Sequence, residues 1–275
     1  MELFVTDLDG TLLNSKKEVS KYSCETLNNL IDKGVNFTVA TARTPATVAE
    51  LLEGLNLKLP VALMNGVLIY DIKEERYIDV KEINTDLVIK CLDVFEKKDK
   101  NVLVYGIKDN HLWVYYKELK NDWEYDFYKE RADKKLKTFV QITDYKEDIK
   151  GSKIINFVAF DKYENIKSIN DELSQFDGLT VNFYEDIYEE DCYFLEAYSN
   201  EASKANGIKF LERYIEHDNL VCFGDNLNDI PMFELANEAY ATANAVDKLK
   251  EMSTAVINSC DEDGVARFLA ERFNK

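Results

Sequence analysis

The sequence predicts an α/β protein with a parallel-sheet core and a separate α+β module inserted into the middle of the chain. Short apolar runs and amphipathic segments alternate between residues 3 and 64, and the same alternation returns after residue 193. Between these two regions the regular alternation is lost. Two strand-like runs follow each other across a hairpin-like turn, and helices separate the others. The parallel-sheet domain is therefore expected to be built from both ends of the chain.

The first part of the chain is predicted to alternate strands with helices. Residues 3–6 form a short β-rich run, and the apolar spacing over residues 19–34 fits an amphipathic helix that ends at a glycine. A second strand is predicted over residues 35–40, a helix over 45–55 and a third strand over 61–64. This order is typical of parallel strands joined by crossover helices.

The middle of the chain is predicted to be a module with one sheet face against helices. Its expected elements, in chain order, are helix 86–97, strands 102–107 and 112–116, helix 121–134, strand 154–160, helix 165–175 and strand 179–184. Residues 108–111 are typical of a hairpin turn. The predicted domains are therefore residues 1–83 with 187–275 for the core and 84–186 for the inserted module.

The α/β alternation resumes in the last third of the chain. The expected elements are strand 193–197, helix 204–217, strand 220–223, helix 230–236, strands 239–242 and 255–258, and helix 265–273. Because these strands again alternate with helices, we expect them to extend the parallel sheet that the first strands begin.

Composition and charge exclude several classes of function. The chain has 275 residues, with 52 acidic and 34 basic side chains and a formal net charge of −18, which disfavours a nucleic-acid partner. No apolar run approaches the roughly 20 residues of a membrane helix, and the first residues show no secretory signal, so we expect a cytoplasmic protein without a membrane partner. Five scattered cysteines and two histidines disfavour a zinc site, a disulfide framework and a Ser-His-Asp triad.

Polar side chains follow the predicted strands at the points where those strands end. Asp7 and Asp9 follow the first strand, Thr41 the second, and Asp225 a late one. In open parallel sheets, ligands bind beyond the carboxyl ends of the strands. Three converging carboxylates repel one another unless a cation neutralises them, and an all-oxygen site suits Mg²⁺. Such an ion is a common means of binding phosphate.

These residue types can also carry out phosphoryl transfer. One aspartate can attack phosphorus, and a second, two residues further on, can act as general acid and then general base. The hydroxyl of Thr41, the charge of Lys204 and the amide of Asn228 can bind a phosphoryl group. Each element has an ordinary alternative, because an Asp-X-Asp-Gly segment can be a simple turn and most lysines are solvated. The joint pattern is far less expected by accident.

The motifs together resemble the haloacid dehalogenase superfamily in its Cof-type, class IIB phosphatase form. The matching segments are DLDGTLL at residues 7–13, NG at 65–66, ATAR at 40–43, Lys204 with Gly207, GDNLNDIPM at 224–232 and DEDGVA at 261–266. The chain departs from the subgroup at Ala42, where glycine is usual, and in having two residues between Lys204 and Gly207. Neither departure removes a functional side chain.

The resemblance implies a Rossmann-like three-layer core, an inserted cap domain that sets substrate specificity, and bound Mg²⁺. It implies that Asp7 is the nucleophile and a metal ligand, that Asp9 is the acid/base with its backbone carbonyl on the metal, and that Asp225 is the remaining ligand. The phosphoryl group would be bound by Leu8 through its backbone N–H, Thr41, Ala42, Lys204 and Asn228. Arg43 would lie at the mouth of the site, and Asp229 would orient Lys204 or the waters of the metal.

We therefore predict a Mg²⁺-dependent phosphatase that hydrolyses small phosphorylated metabolites, sugar phosphates among them, through an aspartyl-phosphate intermediate. A phosphomutase or phosphotransferase on the same scaffold and a non-catalytic binding protein remain the alternatives. In the middle module the candidates for substrate contact are aromatic, although packing within the module is the commoner role of such residues. They are Tyr105, His111, Trp113, Tyr115, Tyr116 and Trp123.

Overall fold

The computed structural model describes residues 1–186 and 191–273. It contains two compact units, of which the first combines Met1–Asp79 with Ala202–Lys275 and the second comprises Val80–Glu201. We call them the core unit and the inserted unit. The inserted unit extends further on both sides than residues 84–186, the range that the sequence analysis gives to the inserted module.

The N-terminal part of the chain supplies five strands and two helices. In chain order these are β1 (Glu2–Thr6), α1 (Lys21–Asp32), β2 (Asn36–Val39), α2 (Pro45–Leu51), β3 (Val61–Leu63), β4 (Leu68–Asp71) and β5 (Arg76–Val80). Helix α1 starts after Ser20, whose side chain accepts a hydrogen bond from the backbone N–H of Ser23, and it is followed by Gly34 at a φ of +96°.

The inserted unit contains six strands and four helices among its described residues. They are α3 (Thr85–Lys97), β6 (Leu103–Lys108), β7 (His111–Tyr116), α4 (Asp122–Arg131), β8 (Lys137–Gln141), α5 (Tyr145–Asp148), β9 (Lys153–Asp161), α6 (Tyr163–Leu173), β10 (Leu179–Glu185) and β11 (Tyr193–Ser199). The predicted hairpin turn joins β6 and β7, with Asp109 and Asn110 both at positive φ.

The C-terminal part returns to the core unit. Its elements are α7 (Lys204–Leu211), β12 (Asn219–Gly224), α8 (Ile230–Leu235), β13 (Glu238–Thr242), α9 (Asp247–Met252), β14 (Ala255–Ile257) and α10 (Gly264–Phe273). Short 3-10 turns occupy Met64–Gly66, Glu212–Tyr214, Leu227–Asp229 and Cys260–Glu262.

A five-stranded parallel sheet forms the centre of the core unit. Its strand order is β14-β13-β12-β1-β2, with Thr6 of β1 opposite both Phe223 of β12 and Val39 of β2. The side chains of β1 from Leu3 to Thr6 are buried on both sheet faces, as expected for a central strand covered by helices. The chain leaves β1 in one direction to reach β2, whereas β12 lies on its other side, so the strand order reverses between β1 and β12.

The inserted unit has a six-stranded sheet in the order β10-β11-β9-β6-β7-β8. Neighbouring strands are antiparallel except for the parallel pair of β7 and β8. A hydrophobic cluster fills one side of this sheet and includes Phe95 of α3, Ile169 of α6 and Phe157 of β9. The chain is thus a mixed α/β protein with a parallel-sheet core and an additional, largely antiparallel sheet.

Several sequence-based expectations need correction. The strand predicted at residues 193–197 belongs to the inserted unit, because β11 pairs along its length with β10 and β9. The predicted boundary was therefore wrong: residues 191–201 belong to the inserted unit, while residue 187 lies outside the described residues. Strand β3 pairs with β4 in a separate three-stranded sheet, and a parallel bridge between Ala62 of β3 and Ala40 joins it to the residue after β2. Strands β4, β5 and β8 and helices α5 and α9 were not predicted.

Within residues 1–186 and 191–273, none of the helices combines the length and the hydrophobicity that are needed to span a lipid bilayer.

Candidate active site

Asp7 and Asp225 lie at the carboxyl ends of two adjacent central strands. The backbone N–H of Asp7 donates a hydrogen bond to the carbonyl of Phe223 at 2.9 Å, which extends the pairing of β1 with β12 by one residue. Asp225 directly follows Gly224, the last residue of β12. The reversal of strand order therefore brings together two carboxylates that are 218 positions apart in the sequence (225 − 7).

Lys204 joins two of the acidic side chains. Ser203 caps α7, so that Lys204 is the first helical residue and is buried. Its Nζ donates hydrogen bonds of 2.5 Å to Oδ1 of Asp7 and 2.5 Å to Oδ1 of Asp229. All three side chains are buried, so these are charge-assisted hydrogen bonds in a region of low dielectric constant.

Asp229 also orders the loop that carries Asp225. Its second carboxylate oxygen, Oδ2, accepts the backbone N–H groups of Asp225 at 2.9 Å and Asn226 at 3.0 Å. Gly224 lies so close to Asp229 that a Cβ at this position would overlap the carboxylate. Both oxygens of Asp229 are thus already in use, and its place in the structure is that of a positioning residue for Lys204 and Asp225.

Gly10 and Thr11 pack against the Asp225 carboxylate. The hydroxyl of Thr11 donates to Oδ1 of Asp225 at 3.3 Å. Gly10 has a φ of +72°, and a Cβ on this residue would overlap Oδ2 of Asp225. The glycine is therefore required both by its backbone conformation and by the close approach of the carboxylate.

Asp9 is more exposed than Asp7 and is held by Arg43. Nε and Nη2 of the guanidinium donate to the two oxygens of the Asp9 carboxylate at 2.6 Å each, which makes a two-pronged ion pair. This contact orients Asp9 next to the first strand, so Arg43 acts on a specific carboxylate rather than only lying at the mouth of the site.

The remaining predicted phosphate ligands are distributed over three loops. Thr41 is buried and its hydroxyl accepts the backbone N–H of Arg43 at 3.3 Å. Leu8 is buried, whereas Ala42 and Asn228 are exposed. Nδ2 of Asn228 donates to Oδ1 of Asn65 at 3.4 Å, which links the loop after β12 with the turn after β3.

Burial and mutual repulsion raise the pKa values of the clustered carboxyl groups. Burial raises the pKa of Asp7; the charge of Lys204 opposes this rise, and Asp229 and Asp225 add to it. Burial, followed by the charge of Asp229, raises the pKa of Asp225 to about 6. For Lys204, burial lowers the pKa but the carboxylates of Asp7 and Asp229 outweigh it, so the pKa is raised and the ammonium stays charged.

The same cluster fits a divalent cation. One carboxylate oxygen from each of Asp7, Asp225 and Asp229 can be chosen so that all lie within 4.8 Å of one another. Because Asp229 already accepts three hydrogen bonds, Asp7 and Asp225 are the side chains that would hold an ion. The donor set consists only of oxygen, which suits Mg²⁺ rather than zinc or copper, and an ion would offset the repulsion that raises the carboxyl pKa values.

Sequence reasoning missed two residues in the C-terminal part of the chain that form hydrogen bonds to the loop after β1. The carbonyl of Gly10 accepts hydrogen bonds from Nδ2 of Asn244 at 2.8 Å and from the hydroxyl of Thr242 at 3.2 Å. Thr242 ends β13, so a polar residue at the end of another predicted core strand was the available signal. Asn244 follows in a loop and offered no comparable signal.

A family model described as haloacid dehalogenase-like hydrolase matches residues 4–269. The chain therefore belongs to the haloacid dehalogenase-like hydrolase family. It is 24% identical over 277 residues to 5-amino-6-(5-phospho-D-ribitylamino)uracil phosphatase YitU of Bacillus subtilis, a match that covers 99% of this chain and 97% of that protein. It is 28% identical over 288 residues to the Bacillus subtilis phosphatase YwtE, which is named for the same substrate, over 98% of this chain and 97% of the relative.

The solved structures agree with this assignment at the level of the fold. A haloacid dehalogenase-like hydrolase from Bacteroides thetaiotaomicron superimposes with a TM-score of 0.80 and 22% identity, over 98% of this chain and 99% of that one. Family membership and the named activity of the relatives together support a phosphatase.

Proposed function

We propose that the protein is a Mg²⁺-dependent phosphatase that hydrolyses small phosphorylated metabolites through an aspartyl-phosphate on Asp7. The main support is the setting of the Asp7 carboxylate. It is buried at the reversal of strand order, Lys204 binds its Oδ1, and Asp225 lies beside it. A carboxylate in this setting is oriented by one oxygen, which leaves the other available for attack.

In the first half of the reaction, an oxygen of Asp7 attacks phosphorus and the bond between phosphorus and the leaving oxygen breaks. Asp9 donates a proton to that oxygen, and the alcohol leaves. In the second half, Asp9 accepts a proton from water, and the water oxygen attacks the phosphorus of the aspartyl-phosphate. Inorganic phosphate leaves and Asp7 is regenerated.

The other predicted residues bind and position the phosphoryl group in this proposal. Thr41, Asn228 and the backbone N–H groups of Leu8 and Ala42 donate hydrogen bonds to its oxygens, and Lys204 supplies a positive charge. Asp7, Asp225 and the main-chain carbonyl of Asp9 would hold Mg²⁺, which supplies positive charge to the phosphoryl oxygens.

For the substrate we propose phosphorylated sugars or polyols. Two relatives are named for a compound with a phosphorylated ribityl chain, and this chemistry is shared by many small metabolites. We propose that residues of the inserted unit select among such esters, because a site that binds only the phosphoryl group cannot discriminate between leaving groups.

The proposal is tested by phosphate release from a panel of sugar and polyol phosphates and from p-nitrophenyl phosphate. We expect turnover that requires Mg²⁺, is abolished in Asp7→Asn, and is retained in the matched control Asp261→Asn, which changes an exposed aspartate elsewhere in the core unit. Release in water without a second acceptor separates a phosphatase from a phosphotransferase. Wild-type-like turnover by pure Asp7→Asn protein would exclude the proposed nucleophile.

A further inference from the structure

The turn between β3 and β4 has an unusual backbone. Met64, Asn65 and Gly66 follow one another at φ values of +50°, +54° and +87°. Within residues 1–186 and 191–273 this is the only run of three residues in the left-handed region. Common two-residue hairpin turns need no more than two such residues, and a methionine in this region is strained because its Cβ approaches the following carbonyl oxygen. Strain of this kind persists where the surrounding structure enforces it, and it clusters at functional sites.

The first contact of this turn is with the loop after β2, which carries Thr41. The backbone N–H of Asn65 donates to the carbonyl of Thr41 at 2.9 Å, and that of Met64 donates to the carbonyl of Arg43 at 3.1 Å. Thr41 in turn donates its backbone N–H to the carbonyl of Ala62 at 2.9 Å. Three backbone hydrogen bonds therefore join the loop of Thr41 to the end of β3 and to the turn that follows it.

The second contact is with the start of α7, which carries Lys204. Gly66 lies so close to this helix that a Cβ on it would overlap the carbonyl oxygen of Ser203, the residue that caps α7. From the helix side, a Cβ on Gly207 would lie 3.2 Å from Cα of Gly66 and 2.8 Å from Cβ of Ala62. Because both contact positions are glycines, the two backbones pack directly against each other. The turn thus supports the first turn of α7, where Lys204 lies.

The third contact is with the loop after β12, which carries Asn228. Nδ2 of Asn228 donates to Oδ1 of Asn65 at 3.4 Å, and neither side chain has another hydrogen bond within the described part of the chain. A carboxamide has two N–H donors, so Asn228 keeps one of them for a ligand. Asn228 is exposed, and an exposed amide that is held at one end loses less conformational entropy when it binds a phosphoryl oxygen.

We propose that Asn65 is a positioning residue of the phosphoryl site and acts through Asn228, a role that rests on the function proposed above for that site. The backbone N–H of Asn65 binds the loop of Thr41, while its side chain binds the carboxamide of Asn228. Gly66 packs the same turn against the start of α7 and so supports Lys204. One three-residue turn thereby connects the three elements that carry the proposed phosphate ligands.

The test is isothermal titration of the full-length protein with inorganic phosphate, in excess Mg²⁺ and at constant ionic strength. Asn65→Gly removes the side chain and leaves a residue that suits a φ of +54°, so this variant should fold. We expect saturable binding by the wild type and a Kd about three- to fivefold higher in Asn65→Gly, the effect of losing one hydrogen bond between neutral groups. The titration measures binding and needs no turnover.

A double-mutant cycle separates positioning of Asn228 from a purely structural role of Asn65. Asn228→Ala should raise the Kd at least as much as Asn65→Gly does. If Asn65 acts through Asn228, adding Asn65→Gly to Asn228→Ala should raise the Kd no further. Additive effects of the two substitutions would mean that Asn65 acts on the site by another route, and they would overturn the proposal.

Asn110→Gly is the matched control, because Asn110 is also an asparagine at a left-handed φ, +57°, but lies in the hairpin turn of the inserted unit. The Kd of this control should equal that of the wild type. An unchanged Kd in Asn65→Gly, with binding retained by the wild type, would overturn the role of Asn65 alone. Absence of saturable phosphate binding by the wild type would overturn that role together with the proposed phosphoryl site.

Discussion

The buried carboxylate of Asp229 provides a test of how the loops of the candidate active site are held. Asp229 is fully buried, with one oxygen on Lys204 and the other on the backbone N–H groups of Asp225 and Asn226. In Asp229→Asn the side chain keeps its shape but has only one acceptor oxygen. If that oxygen stays on the backbone N–H groups, the new amide N–H₂ faces the ammonium of Lys204, and two donors oppose each other.

The expected loss of stability in Asp229→Asn follows from removing one charge of a buried ion pair, which typically destabilises a protein by about 3–5 kcal/mol. A change of 1 kcal/mol lowers the melting temperature of a domain of 150–250 residues by roughly 2–4 °C. We therefore expect Asp229→Asn to melt roughly 6–20 °C below the wild type. Activity should also fall, because both Lys204 and the Asp225 loop lose a contact that positions them.

The assay is thermal unfolding followed by circular dichroism, in the absence of metal and in excess Mg²⁺. Asp261→Asn is the control, because Asp261 also accepts a backbone N–H, that of Ser15 at 2.7 Å, but is exposed. We expect this control to cost less than about 1 kcal/mol. A melting temperature of Asp229→Asn within about 2 °C of the wild type would refute the view that this carboxylate holds the site together.

Four further perturbations test other contacts. Gly10→Ala should lower kcat/KM for phosphate release at least about tenfold, because the new Cβ meets the Asp225 carboxylate and the φ of +72° is strained for alanine; unchanged kinetics would contradict this. Between pH 8 and 10.5 the folded state binds fewer protons at Lys137 than the unfolded state, since its pKa is lowered from 10.5 to about 8. The stability of the wild type relative to Lys137→Met, measured by urea unfolding, should therefore rise with pH through this window, by up to about 3 kcal/mol, and a constant difference would argue against a lowered pKa of Lys137. Asp9→Asn should slow hydrolysis of an alkyl phosphate more than that of p-nitrophenyl phosphate, whose leaving group needs no proton. Equal losses on the two substrates would count against an acid role for Asp9. Arg43→Ala should show the same preference for p-nitrophenyl phosphate, with a smaller loss of activity.

The placement of the acidic side chains could be predicted because it follows from strand direction. Asp7 and Asp225 each come directly after a buried strand, and parallel strands end at the same edge of a sheet. Pairing of β1 with β12 was then enough to bring them together. The hydrogen bonds of Asp229 could not be predicted from the sequence in the same way, because they depend on the path of a single loop and not on a periodic pattern.

The boundary of the inserted unit could not be placed correctly for a related reason. The run at residues 193–199 has the apolar character of a core strand, and nothing in its own composition tells which sheet it joins. Its partners are β10, the preceding strand, and β9, two strands earlier in the chain, so it becomes the middle strand of an antiparallel trio instead of another parallel strand. Strand β8 was missed because the apolar alternation in residues 137–141 is short and begins with Lys137.

The contacts missed from the sequence explain why the last part of the core unit matters to a site whose main acids lie elsewhere. The carbonyl of Gly10 is held by Thr242 and Asn244, and the backbone N–H of Val246 donates to the carbonyl of Asp225 at 2.9 Å. One segment after β13 therefore fixes both the loop after β1 and the loop after β12. Two carboxylates that repel each other stay close only if the backbone beneath them cannot move apart, so these neutral hydrogen bonds are as necessary to the site as its charged residues.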